Sequence, residues 1–174
     1  MDKILVVVDM QNDFVTGSLG SSEAQAIVPD VVKKIENFDG TVVFTRDTHG
    51  ENYMETQEGR NLPVVHCIEG TEGWQIIHEL KHLSEGKRIF DKYTFGSVEL
   101  AEYIRQKAEA ANGDLSVELI GVCTDICVVS NALLIKAFSK EIPVSVDPKC
   151  CAGVTVDAHE AALATMKSCQ IQIA

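Results

Sequence analysis

Four apolar runs in this chain of 174 residues each lead into a side chain that can do chemistry. Residues 4–8 run into Asp9, 41–45 into Arg46 and Asp47, and 88–90 into Asp91 and Lys92. Residues 115–121 lead into Val122-Cys123-Thr124-Asp125-Ile126-Cys127. Any one of these residues alone is explained by capping the helix or turn that follows. Together they matter, because open parallel sheets bind ligands outside the carboxyl ends of their strands. Cys127 falls in the first turn of an expected helix, where backbone N–H groups and the helix dipole favour an anion and lower a thiol's pKa. A lysine such as Lys92 stabilises a thiolate. A carboxylate such as Asp9 takes the thiol proton and later hands it to a leaving amine. Asp9, Lys92 and Cys127 thus supply acid/base, charge stabiliser and nucleophile.

A second set is Asp47-Thr48-His49 with His66. Side chains two apart in an extended segment point the same way, so Asp47 and His49 can reach one ion while His66 closes the set. Two histidines and a carboxylate suit Zn²⁺, Fe²⁺ or Mn²⁺. The same residues are equally read as loop histidines making ordinary hydrogen bonds.

The elements that must position these groups alternate in type. Ile4-Leu5-Val6-Val7-Val8 and Thr41-Val42-Val43-Phe44-Thr45 read as strands buried on both faces. Between them the residues from Ser22 on have helical spacing, with Ala26, Ile27, Val31, Val32 and Ile35 on one side and Gly40 closing the helix. Strand, helix, strand is the order of a crossover unit in a parallel sheet. Residues 47–72 have no sustained period, and so long a connection carrying Asp47, His49 and His66 is expected to be functional. A short helix over 73–81, a strand over 88–90, and a helix over 97–112 capped by Ser97 follow. Then come a strand over 115–121, a helix over 125–140, a strand over 142–146, a helix over 156–168 and a last strand over 171–173. This predicts a three-layer α/β/α, Rossmann-like sandwich on a six-stranded, mostly parallel sheet, with residues 1–174 forming one domain.

Composition narrows the partners. Fifteen basic residues against 26 acidic leave a net charge of −11, which gives no general attraction to nucleic acid or to anionic lipid. The longest apolar runs fall far short of the ~20 residues of a membrane span. The first residues lack the length and cleavage site of a signal peptide, so a cytoplasmic protein is expected. Its six cysteines then read as reduced, with Cys67 and Cys169 as small buried hydrophobes. His78 and His82, four apart, read as a surface pair. Cys123 and Cys127 are spaced C-x-x-x-C, not as a thioredoxin-like redox pair. The glycines make no phosphate-binding loop.

Five blocks in register, Val8-Asp9-Met10-Gln11-Asn12-Asp13-Phe14, Thr45-Arg46-Asp47-Thr48-His49, His66-Cys67-Ile68-Glu69-Gly70-Thr71, Lys92 with Thr94-Phe95, and Gly121-Val122-Cys123-Thr124-Asp125-Ile126-Cys127-Val128, resemble those of the isochorismatase-like cysteine hydrolases. The likeness spans nearly the whole chain, down to Asp147-Pro148-Lys149-Cys150 and the segment around His159. Within the family it is most similar to the nicotinamidase/pyrazinamidase branch. The resemblance implies an isochorismatase-like fold and a catalytic triad of Asp9, Lys92 and Cys127. It implies a cis peptide between Val122 and Cys123, with the backbone N–H groups of Cys123 and Cys127 as an oxyanion hole. It also implies a divalent metal, zinc first and iron or manganese as alternatives, on Asp47, His49 and His66. Phe14 is implied as a wall of the substrate pocket, with Tyr53 or Trp74 as a further ring, although aromatics there also serve ordinary packing.

The implied reaction is hydrolysis of a small carboxamide through a thioester, with nicotinamide or pyrazinamide as the leading substrate. N-carbamoyl or ureido compounds, isochorismatase-type hydrolysis and a non-catalytic metal- or ligand-binding role are the alternatives. A homo-oligomer is expected, from the family and from an apolar face over residues 128–138. Two departures bear on the substrate: Thr48 stands where nicotinamidases usually carry an aromatic residue, and residues 50–62 lack the usual proline-containing sequence.

Overall fold

The structure is a computed structural model of residues 1–174. In chain order its elements are β1 (Asp2–Val8), α1 (Asn12–Val15), α2 (Ser22–Ala26), α3 (Val28–Glu36), β2 (Thr41–Asp47) and a 3₁₀ turn (Tyr53–Glu55). Next come α4 (Gln57–Asn61), α5 (His78–Ser84), β3 (Arg88–Lys92), α6 (Val98–Ala110) and β4 (Leu115–Val122). A π-helical turn (Thr124–Val128), α7 (Val129–Phe138), β5 (Val144–Ala152), α8 (Val156–Ser168) and β6 (Gln172–Ile173) complete it.

The six strands form one sheet in the order β3-β2-β1-β4-β5-β6, with every neighbouring pair parallel. Alternation along β1 divides the core. Ile4, Val6 and Val8 pack with Leu100, Ile104, Ile135 and Met166 of α6, α7 and α8, while Leu5 and Val7 pack with Val31, Ile35 and Leu80 of α3 and α5. A sheet covered on both faces explains why its central strands are continuously apolar. Strand order reverses between β1 and β4, which opens a crevice beyond their carboxyl ends. There Gly121 has φ +116°, and a Cβ on it would lie 2.1 Å from the Val8 carbonyl oxygen, so only glycine lets the two strands come this close.

Several boundaries differ from those expected. The helix from Ser22 is two, because Pro29 in the first turn of α3 has no N–H to continue the preceding ladder. Residues 73–77 are not helical: Asn12 N–H donates to Gln75 O (2.9 Å), Asp13 N–H to Gly73 O (3.0 Å) and Ile77 N–H to Met10 O (3.0 Å). That segment is bound to the turn after β1. β5 continues past Val146 to Ala152, and the ladder shifts register between Leu119 and Gly121, where Pro148 is accommodated. The 125–140 helix divides into the π turn and α7, whose Val129, Leu133 and Leu134 already pack partly against the core. Cys67 is buried as expected, but Cys169, just past α8, is exposed.

Candidate active site

Asp9, immediately after β1, is fully buried and has φ +48°. Its N–H donates to Thr45 Oγ1 (3.2 Å), and that hydroxyl donates in turn to Asp9 Oδ1 (2.6 Å). The other carboxylate oxygen lies 2.7 Å from Nζ of Lys92, the last residue of β3. Lys92 Nζ also lies 3.3 Å from Cys127 Sγ, 3.3 Å from Asp47 Oδ1 and 3.3 Å from Thr94 O. Three strand ends and the π turn therefore bring the expected carboxylate, ammonium and thiol into one buried network, with Lys92 3% and Cys127 5% exposed.

Burial lifts the Asp9 carboxyl above the ordinary carboxylate range, against the pull of Lys92. Burial works against the Lys92 charge as well, but Asp9, Cys127 and Asp47 outweigh it and hold the ammonium well above its usual range. The thiol departs from the sequence-based expectation. Burial, followed by the Asp9 charge, pushes Cys127 well above an ordinary cysteine, and Lys92 only partly opposes this. The helix-end effect is outweighed because the thiol is buried and faces two carboxylates for one ammonium.

The second set assembles beside the first. Asp47 Oδ2 is 2.9 Å from His49 Nε2 and 3.5 Å from His66 Nε2. Glu58 Oε1, from α4, lies 3.6 Å from His49 Nε2 and 3.9 Å from His66 Nε2. The ligand atoms of Asp47, His49, Glu58 and His66 all lie within 4.8 Å of one another. Two imidazoles and two carboxylates so close around one point fit a divalent transition ion. The histidines are oriented from behind as such ligands are: His66 Nδ1 meets Val64 O at 2.8 Å, and the Tyr53 ring stands edge-on at 4.7 Å from His49 and 5.0 Å from His66. Burial opposes ionisation of Asp47, but the two histidine hydrogen bonds and Lys92 hold its carboxyl well below the usual range. Its backbone is clamped by Gln11, whose amide donates to Asp47 O (2.8 Å) and accepts from Asp47 N–H (2.7 Å).

Glu58 was not among the expected ligands. It lies nine residues beyond His49 on a five-residue helix, and only the carboxylates of that acidic segment pointed to it.

A cavity of about 540 Å³ joins the two sets. Phe14, Leu19, Leu62, Phe95, Ile126 and Val154 wall it, Cys123 and Cys127 line one part, and Asp47, Glu58 and His66 another. The Val122–Cys123 peptide is cis, and the Cys123 N–H finds no acceptor in the chain. Burial pushes the Cys123 thiol up to about 12, with Asp125 adding to the effect. Two other grooves, of about 680 and 700 Å³, are lined mostly by charged and polar side chains and touch none of these residues.

Two of the three expected pocket rings lie elsewhere. Phe14 lines the cavity; Tyr53 and Trp74 do not. Tyr53 is fully buried behind the histidines and donates its hydroxyl to Leu62 O (2.8 Å). Trp74 donates its indole N–H to Thr48 Oγ1 (2.9 Å) and lies 3.6 Å under the Arg46 guanidinium. Thr48 thus accepts a hydrogen bond outside the cavity, and Phe95 and Leu62 are further apolar walls of it.

The family model of the isochorismatase domain matches residues 3–174. The chain is 32% identical to the isochorismatase family protein PncA of Bacillus subtilis, over 94% of this chain and 93% of that protein. It is 27% identical to the nicotinamidase/pyrazinamidase of Mycobacterium tuberculosis, over 98% and 97%. Among solved structures it is similar to the pyrazinamidase of Pyrococcus horikoshii in complex with zinc, with TM-score 0.82, 30% identity, and coverage of 100% and 99%.

Proposed function

The chain belongs to the isochorismatase family, and on that premise we propose that it is a cysteine amidohydrolase converting nicotinamide, or the related pyrazinamide, to the acid and ammonia. One observation carries the reading: Cys127, which lines the same cavity as Asp47, Glu58 and His66, is backed by a continuous contact network from its Sγ through Lys92 to Asp9. Relatives named for this activity support the substrate.

In the proposed reaction the Cys127 sulfur attacks the carboxamide carbon as Asp9 takes the thiol proton. The N–H groups of Cys123 and Cys127 face the oxygen on which charge develops, and donors of this kind are each worth on the order of 10²–10³ in rate. Asp9 returns the proton to nitrogen, the carbon–nitrogen bond breaks, and ammonia leaves behind a thioester on Cys127. Water then adds to the thioester carbonyl and gives a proton to Asp9. The carbon–sulfur bond breaks, the sulfur recovers a proton and the acid departs. Lys92 keeps its positive charge against Asp9 and the sulfur throughout. Asp47, His49, Glu58 and His66 would hold a divalent ion, zinc first, which when bound supplies a Lewis acid for a ring nitrogen. Phe14 packs against the ring, and Leu62, Phe95 and Val154 exclude water. We place the enzyme in the cytoplasm, in keeping with six cysteines that are all free; no helix is long and apolar enough to cross a membrane.

The test is ammonia release from nicotinamide, pyrazinamide, N-carbamoyl and ureido compounds, before and after removal of divalent metal. Release from the two ring carboxamides that falls on metal removal is expected. Release from ureido compounds alone, indifferent to metal, would replace this substrate class.

A further inference from the structure

Asn131, on the first turn of α7, is completely buried, yet it takes no part in the chemistry described above. Its amide is fully used. Nδ2 donates to the Cys127 carbonyl at 2.8 Å and to the Phe95 carbonyl at 3.1 Å. Oδ1 accepts from the Ser97 N–H at 2.9 Å, and that donor fixes which way round the amide stands. One side chain therefore ties the turn that carries the nucleophile to the segment between β3 and α6.

That segment is not passive. It begins at Lys92, whose Nζ is held by its own Thr94 carbonyl (3.3 Å), it presents Phe95 to the cavity, and it ends at Ser97, which caps α6 through Leu100 N–H (3.1 Å). Close packing supports the tie, since a Cβ on Gly96 would lie 3.3 Å from Leu134 and 3.5 Å from the Ser130 carbonyl of α7. A leucine would fill the volume of Asn131 but remove the donors to the Cys127 and Phe95 carbonyls and the acceptor of the Ser97 N–H, at a cost that favours the amide.

We propose that Asn131 is a positioning residue that sets the Cys127 turn against Lys92 and Phe95, so that sulfur, ammonium and cavity wall keep one geometry. The inference rests on reading Cys127 as the nucleophile. It needs no particular substrate. Asn131 touches neither substrate nor reacting atoms. It acts through the Cys127 carbonyl and the 92–97 segment, and misplacement of a reacting group by about 1 Å costs on the order of 10²-fold in rate.

The test uses Asn131→Ala and Asn131→Asp. The second keeps the size and the acceptor for Ser97 but loses both donors, so it remains informative should the alanine variant fail to fold. Circular dichroism gives the fraction of folded molecules, hence of intact sites, and iodoacetamide labelling followed by the mass of the Cys127 peptide gives the rate at which that thiol reacts. Per intact site, kcat for ammonia release from nicotinamide is expected to fall ~10–100-fold with KM within about threefold of wild type, and labelling of Cys127 to slow at least ~fivefold. A merely structural role would lower the number of intact sites and leave both per-site rates unchanged. Rates within about twofold of wild type in a folded variant would overturn the proposal. Should wild type release no ammonia from nicotinamide, the substrate reading fails separately, and the labelling rate alone decides: slower labelling supports the positioning role, and equal or faster labelling overturns it.

Discussion

Asp47 at a strand end and Glu58 and His66 on the long connection between β2 and α5 line the same cavity, and the two groups to which they belong are held by different means. Asp9, Asp47 and Lys92 are placed by the ladder, where Asp47 pairs with Lys92 across β2 and β3 and Val8 with Gly121 across β1 and β4. His49, Glu58 and His66 hang on individual contacts. His49 N–H donates to Cys67 O (2.9 Å), Cys67 N–H to Asp13 Oδ2 (2.8 Å), and Tyr53 packs behind both rings. One carboxylate joins the two regions, since Asp47 gives Oδ1 to Lys92 and Oδ2 to the histidines. On the proposed reading the difference separates chemistry from selection: bond breaking would belong to the sheet end, and choice of substrate to a segment whose contacts can be exchanged one at a time.

Substitutions should rank accordingly. Cys127→Ala removes the nucleophile and is expected to lower kcat/KM at least about 10⁴-fold with the fold intact, as read by ammonia release and circular dichroism. Asp9→Asn should cost about 10²–10⁴-fold, the range for a positioned acid/base. The base must be ionised to act, and burial lifts its pKa. Activity of wild type should therefore fall toward acid above the range of an exposed carboxylate. Lys92, held well above its usual range, should cause no alkaline loss; a pH–rate profile checks both limbs.

The loop should yield smaller and more selective effects. Glu58→Gln is expected to weaken zinc binding on the order of 10–100-fold, measured by competition with a chelating dye, while iodoacetamide labelling of Cys127 keeps its rate. Phe14→Leu should raise KM for nicotinamide about three- to tenfold through loss of ring contact, and Trp74→Phe less than about twofold. A larger effect from Trp74 than from Phe14 would reverse the placement of the pocket wall.

The same contrast explains what could be read without coordinates. Asp9, Asp47, Lys92 and Cys127 follow apolar runs, and a parallel sheet sends such residues to one rim. Tyr53, Glu58 and Trp74 lie among a three-residue turn, a five-residue helix and irregular chain, too short for any periodicity to show which way a side chain points. Trp74 is turned from the cavity by Thr48 and Arg46, partners 26 and 28 positions away in sequence. The upward shift of the Cys127 thiol was equally hidden. The helix-end position argued for a thiolate, and the depth of burial, followed by the Asp9 charge and then that of Asp47, reverses the sign.

The central claim is a covalent acyl intermediate on Cys127. Rapid acid quenching of the enzyme during turnover of nicotinamide, followed by mass measurement of the peptide containing Cys127, tests it directly. The account predicts a nicotinoyl group on that residue, absent from Cys127→Ala. Turnover with Cys127 unmodified, and undiminished in the variant, would contradict it.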